Sequence, residues 1–141
     1  MFETFGNKAD IGVRGKGASA EEAFCECAKA MISVMASLKT IAPNKRIPIK
    51  VSAPDMNALL VNFLNEVLYV KDKNKMVFSK FIVKIRENPQ KNGFELNSEC
   101  LGEEINPKKH ELRTDIKAAT YSLMKVEKRG IEWIAQCVVD V

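Results

Sequence analysis

The chain has 141 residues, 46% hydrophobic and 28% charged, a balance that suits one globular domain (1–141) with a core of its own. No apolar run reaches the roughly 18 residues of a membrane span. The N-terminus shows no basic stretch leading into an apolar one, so the expected location is the cytoplasm. With 22 Lys and Arg against 18 Asp and Glu the net charge is +4, both signs interspersed; this permits contact with RNA or an acidic protein face and demands neither.

Residues 1–5 and 11–16 read as two short strands joined by a turn at 6–8. Between them stands Asp10, the only acidic residue from position 4 to position 20. Strand interiors disfavour Asp, since burying an unpaired carboxylate is costly, so Asp10 either faces water at a strand end or is held for a cation. Gly15 and Gly17 end the second strand; without a third Gly or a Lys-Ser/Thr pair, they do not make a phosphate loop. Ser19-Ala20-Glu21-Glu22 is a capping box. Behind it Ala23, Phe24, Cys27, Met31, Val34, Met35 and Leu38 recur at helical spacing, which predicts a first helix with one buried face.

A loop at 41–46 precedes alternating Ile47, Ile49 and Val51, a strand that Pro48 assigns to an edge. Asp55 caps a second helix, whose apolar face runs from Met56 through Leu60 and Leu64 to about Val70; Asn62, Asn65 and Glu66 fall off that face. Residues 71–75 read as a polar connector. Strands at 77–86 and 94–101 form a hairpin across the turn 88–93. A loop at 102–109 leads to a long strand expected within 110–126, then a turn at 128–130 and a last strand over 133–141. The order β-β-α-β-α-β-β-β-β predicts an α+β domain, two helices packed on a mostly antiparallel sheet.

The candidate chemistry is narrow. Cys25 and Cys27 would point about 200° apart on a helix, at roughly 100° per residue, so they cannot hold one ion; with Cys100 and Cys137 they are expected as reduced packing groups. His110 is the one imidazole, and no serine sits in a nucleophile elbow, so no nucleophilic triad is expected. Glu21-Glu22 is explained by the helix cap, whereas Glu103-Glu104 has no local explanation. Asp10, Asp140 and the carboxylate of Val141 are hard oxygen donors of the kind that suits Ca²⁺, Mg²⁺ or Mn²⁺. Spacing alone does not bring them together.

The blocks Ala9-Asp10-Ile11-Gly12, Glu21-Glu22-Ala23-Phe24, Leu59 through Glu66, Phe78-Ser79-Lys80-Phe81, Gly102-Glu103-Glu104, Lys109-His110-Glu111, Ile116 through Tyr121, and Val139-Asp140-Val141 follow one another in this order. Taken together they resemble the archease family, small protein cofactors of RtcB-type tRNA-splicing ligases. The resemblance spans the whole chain. It implies that Asp10, Asp140 and Val141 meet on neighbouring strands to bind a divalent cation, Ca²⁺ foremost. It further implies a non-catalytic activator that promotes guanylylation and repeated turnover of the ligase, contacts tRNA at most indirectly, and is a monomer or weak oligomer. Lys117 matches a family lysine, and His110, Glu111, Glu103 and Glu104 match the family's charged loop, which makes them candidate ligase-activating residues. Asn7-Lys8 departs from the family's His-Thr, and Ser122 stands where many members carry His. The other reading is a chaperone or a modulator of an RNA-modifying methyltransferase.

Overall fold

The structure, a computed structural model, describes residues 1–6 and 10–141. Strands β1 (Phe2–Gly6) and β2 (Ile11–Gly17) precede helix α1 (Ala20–Met35), and β3 (Lys45–Ala53) precedes helix α2 (Met56–Asn74). There follow β4 (Met76–Asn88), β5 (Gly93–Glu104), the single-turn helix α3 (Pro107–His110), β6 (Ala118–Ala119), β7 (Lys125–Arg129) and β8 (Glu132–Asp140). Both main helices start where a side chain takes up a free amide. The Glu22 N–H donates to Ser19 Oγ at 3.1 Å and the Ala58 N–H to Asp55 Oδ1 at 2.8 Å. Glu22 reaches back to the Ala18 N–H at 3.3 Å, completing the expected box one residue early.

The strands divide into two antiparallel sheets rather than the single sheet expected. One runs β1-β2-β8-β6 with β7 also on β8; the other runs β3-β5-β4. Pro48 does lie on an edge strand. Helix α1 packs on β2 and β8 of the larger sheet and on β4 of the smaller, so it joins the two layers. Phe24 of α1, Phe63 of α2 and Phe81 of β4 meet ring to ring at 6.1 and 6.3 Å in the middle of the core. Gly15 explains how closely α1 approaches β2: a Cβ there would stand 2.2 Å from both the Ala23 carbonyl oxygen and the Cys27 nitrogen.

Three boundaries differ from the periodicity. Helix α2 continues through the stretch read as a connector, because Lys71 is buried and pairs with Asp72 at 3.2 Å and Asp115 at 3.9 Å. Strand β5 runs on through Glu103 and Glu104, which pair in register with Val77 and Met76. Helix α1 stops at Met35, short of Leu38, because the Met35 carbonyl accepts from the Arg113 N–H at 2.7 Å and the chain leaves the helix there.

The largest difference lies at 110–126. Instead of a long strand this stretch is a strap: it leaves α3, crosses the C-terminal end of α1, forms the two-residue β6, turns, and begins β7. Its alternation of Ile116, Ala118 and Thr120 reflects one buried anchor, Ile116, and a short ladder, not a continuous strand. Arg113 explains the crossing. Its guanidinium donates to the Ser33 carbonyl at 3.0 Å, placing a cation at a helix end that has no basic residue of its own.

Candidate functional site

Strand β8 lies between β2 on one side and β6 and β7 on the other, and that placement decides what gathers at its end. Ile11 pairs with Val139 across β2 and β8, so continuing the antiparallel register by one residue sets Asp10 opposite Asp140. Both residues are exposed. On the other side Ala118 pairs with Asp140, and the Lys117 N–H donates to the Asp140 carbonyl at 2.8 Å. Residues 10, 117, 140 and 141 thus come to one end of the larger sheet, with Lys117 exposed and Val141 half-buried. Gly6 supports the arrangement. Its φ is +88°, and a Cβ on it would stand 2.1 Å from the Asp10 carbonyl oxygen. Asn7 and Lys8, where the sequence departs from the family pattern, lie outside the described residues.

Among the described residues no three His, Cys, Asp or Glu side chains gather as a metal-binding group. A closed zinc-type cage is therefore not formed by them. What the sheet end offers is two exposed carboxylates on adjacent strands, to which a free carboxylate on Val141 would add a third. Such an all-oxygen, open set fits a hard divalent cation that completes its shell with water or with a partner's groups.

The short strand β6 is fastened from two sides. Asn65, on α2, accepts the Ala119 N–H at 2.8 Å and donates its own amide to the Ala119 carbonyl at 3.3 Å. From the β8 side the Thr120 N–H and hydroxyl both donate to the Val138 carbonyl, at 3.0 and 2.8 Å. Ser122 accepts the Val138 N–H through its main-chain carbonyl at 3.0 Å. Sequence periodicity placed Asn65 off the apolar face of α2, which is correct. It held no sign that the side chain grips a strand 54 residues further on.

The other candidates collect elsewhere, in a cleft at the end of the smaller sheet lined by Asn44, Lys45, Glu103, Glu104, Lys109 and His110. His110, at the start of the stretch expected to hold a long strand, is fully buried. Its Nδ1 accepts the Asn106 N–H at 2.9 Å, so the ring proton sits on Nε2, which donates to Glu103 Oε2 at 2.8 Å; the imidazole is neutral. Glu103 also accepts the Ala42 N–H at 2.9 Å and pairs with Lys109 at 2.8 Å. The His110 hydrogen bond, then those from Lys109 and Ala42, hold its carboxyl down at about 2. Glu104 is exposed and pairs with Lys45 at 2.9 Å, which lowers its carboxyl. Glu111 is exposed, in the left-handed region at φ 48°, 3.6 Å from Arg113. The hydrogen-bonding groups of Glu103 and His110 are thus engaged inside the chain, binding the 103–110 turn to the loop that carries Ala42.

The four cysteines are free thiols. Burial pushes Cys25 up to about 11 and Cys100 and Cys137 to about 12, and raises Cys27 as well, so they are packing groups rather than thiolate ligands.

These features define a small α+β protein of two antiparallel sheets and two main helices, with acidic residues from opposite ends of the chain brought to one sheet end. The sequence profile of the archease protein family (MTH1598/TM1083) matches residues 2–141, and the chain belongs to that family. It is similar to protein archease of Thermococcus kodakarensis, 40% identical over 141 residues that cover 99% of this chain and 98% of the relative. It is likewise similar to protein archease of Pyrococcus furiosus, 38% identical over 142 residues, covering 100% and 99%. The solution structure of Methanobacterium thermoautotrophicum protein 1598 superposes with a TM-score of 0.80 at 27% identity, covering 99% and 98% of the two chains. A Thermotoga maritima crystal structure, described as an archease and possible chaperone, shares the fold at a TM-score of 0.57 and 18% identity, covering 99% and 96%. Among the described residues no helix is long and apolar enough to cross a membrane.

Proposed function

We propose that this chain is a non-catalytic activator of an RtcB-type tRNA-splicing ligase, working through a divalent cation held by Asp10, Asp140 and a free carboxylate on Val141. The observation that carries the reading is the strand register that sets Asp10 beside Asp140 at an exposed sheet end. Membership of the archease family supports the partner class. When bound, the cation would supply positive charge to acidic groups of the partner or its nucleotide. The chain's own part is to hold the two carboxylates on a rigid ladder and to present Lys117 next to them. That arrangement suits docking at a ligase's guanylylation site, where correctly placed charge and reduced solvent access favour guanylyl transfer to the ligase's histidine. Of the charged-loop residues, Glu111 and Glu104 are exposed and available to a partner, while Glu103 and His110 would act by fixing the turn between them. Ca²⁺ is the first choice of ion, with Mg²⁺ or Mn²⁺ as alternatives, and the cytoplasm the proposed setting.

A second reading, a chaperone or a modulator of an RNA-modifying methyltransferase, is favoured by the exposed side chains of Tyr121, Leu123 and Ile131. One assay separates the two: GTP-dependent RNA ligation by the ligase of the same organism, under multiple turnover, with and without this protein. Stimulation is expected, and Asp10→Asn with Asp140→Asn should remove at least nine-tenths of it. No stimulation by the wild type would favour the second reading.

A further inference from the structure

The segment carrying Lys117 has little of its own to hold it. Strand β6 is two residues long, and such a ladder is marginal without outside support. Before it, residues 111–117 carry no regular structure. After it, the chain turns at 121–123, where Leu123 adopts φ 51°, a conformation non-glycine residues seldom take. Yet this segment must lie against β8 for the Lys117 N–H to reach the Asp140 carbonyl and for Ala118 to pair with Asp140. On the side away from β8, Ile116 and Ala119 pack in the core and Arg113 bonds the end of α1, while the Asn65 side-chain amide pairs with both backbone groups of Ala119. A carboxamide carries an acceptor oxygen and a donor nitrogen side by side, so it can pair with both backbone groups of one residue. Asn65 is half-buried, so water competes with these bonds less than it would at an open surface.

We infer that Asn65 is a positioning residue for the sheet-end cation site: by clamping Ala119 it fixes β6 on β8 and thereby sets the places of Asp140 and Lys117. This rests on the cation reading above and assigns it a residue on α2 that touches neither carboxylate. Nothing in the packing of α2 requires an amide at this position. The helix buries its apolar face through Leu60, Phe63, Leu64 and Val67, and Asn65 lies beside that face.

The test is calorimetric titration with Ca²⁺, and separately Mn²⁺, of the wild type, Asn65→Leu and the control Val67→Ala, which opens a core cavity on the same helix about 200° around from Asn65. Asn65→Ala replaces the leucine variant where that one misfolds. The expected result is at least tenfold weaker cation binding in the Asn65 variant and affinity within twofold of wild type in Val67→Ala, even where the latter melts lower. Amide hydrogen exchange in the metal-free protein should quicken at least tenfold at Lys117 and Ala119 in the Asn65 variant and not in the control. Cation binding within twofold of wild type in the Asn65 variant overturns the inference, as does an equal loss in Val67→Ala. If the wild type binds neither ion, the cation reading falls; unchanged exchange at Lys117 and Ala119 would then overturn the clamp as well.

Discussion

At the scale of single residues, the same residue types take opposite parts in two places. Asp10 and Asp140 are exposed at the ends of neighbouring strands, where the proposed cation would sit. Glu103 has one cation, Lys109, and two further donors, His110 and the Ala42 amide, within the chain. Because its carboxyl is held at about 2, below the usual 4.5, the folded protein binds that proton less readily than the unfolded chain. Glu103 therefore contributes stability that is fully present above about pH 4.5 and is lost as the pH falls toward 2. Melting curves across that window should show wild type and Glu103→Gln converging as the pH drops; a constant gap would mean that the ionised carboxylate is not what stabilises the turn. A sequence could suggest that Glu103 and His110 belong together. It could not say that the imidazole is buried and neutral, since that depends on the Asn106 amide taking its Nδ1.

At the scale of elements, the helices and the smaller sheet were legible because their signals are local. Ser19 and Glu22, Asp55, and the apolar alternation of β3 to β5 each state their role within a few residues. The strap at 110–126 was not, because what shapes it comes from elsewhere in the chain: Arg113 bonds the end of α1, and Ala119 is held by Asn65. Its alternating pattern was real but too short to outweigh those contacts. The division into two sheets was hidden for a related reason, since strand order depends on α1 packing against both. That packing makes a further prediction. Gly15→Ala forces a methyl group into the Ala23 and Cys27 backbone, and urea unfolding should show a loss of about 1–3 kcal/mol. A loss well under 1 kcal/mol would mean that α1 can move off β2 cheaply.

At the scale of the whole molecule, the fold brings two ends of the sequence to the two sides of one ladder and leaves them facing outward. The residues of that site were recognisable in the sequence only by resemblance, since no spacing rule connects positions 10 and 140. The structure adds the register that places them and the clamp on β6 beside them. The proposed activator role needs a site that is rigid and exposed at once, and carboxylates at the ends of β2 and β8, two strands that are each paired on both sides, meet both needs.

The most direct test of the cation site is paramagnetic broadening by Mn²⁺ in an amide nitrogen–proton spectrum of the free protein. Substoichiometric Mn²⁺ should first broaden the amides of Ile11, Lys117, Ala118 and Asp140, and Asp10→Asn with Asp140→Asn should abolish the effect. Broadening centred instead on Glu103, Glu104 and Lys45, or none at these positions, would contradict a cation site at the end of β2 and β8.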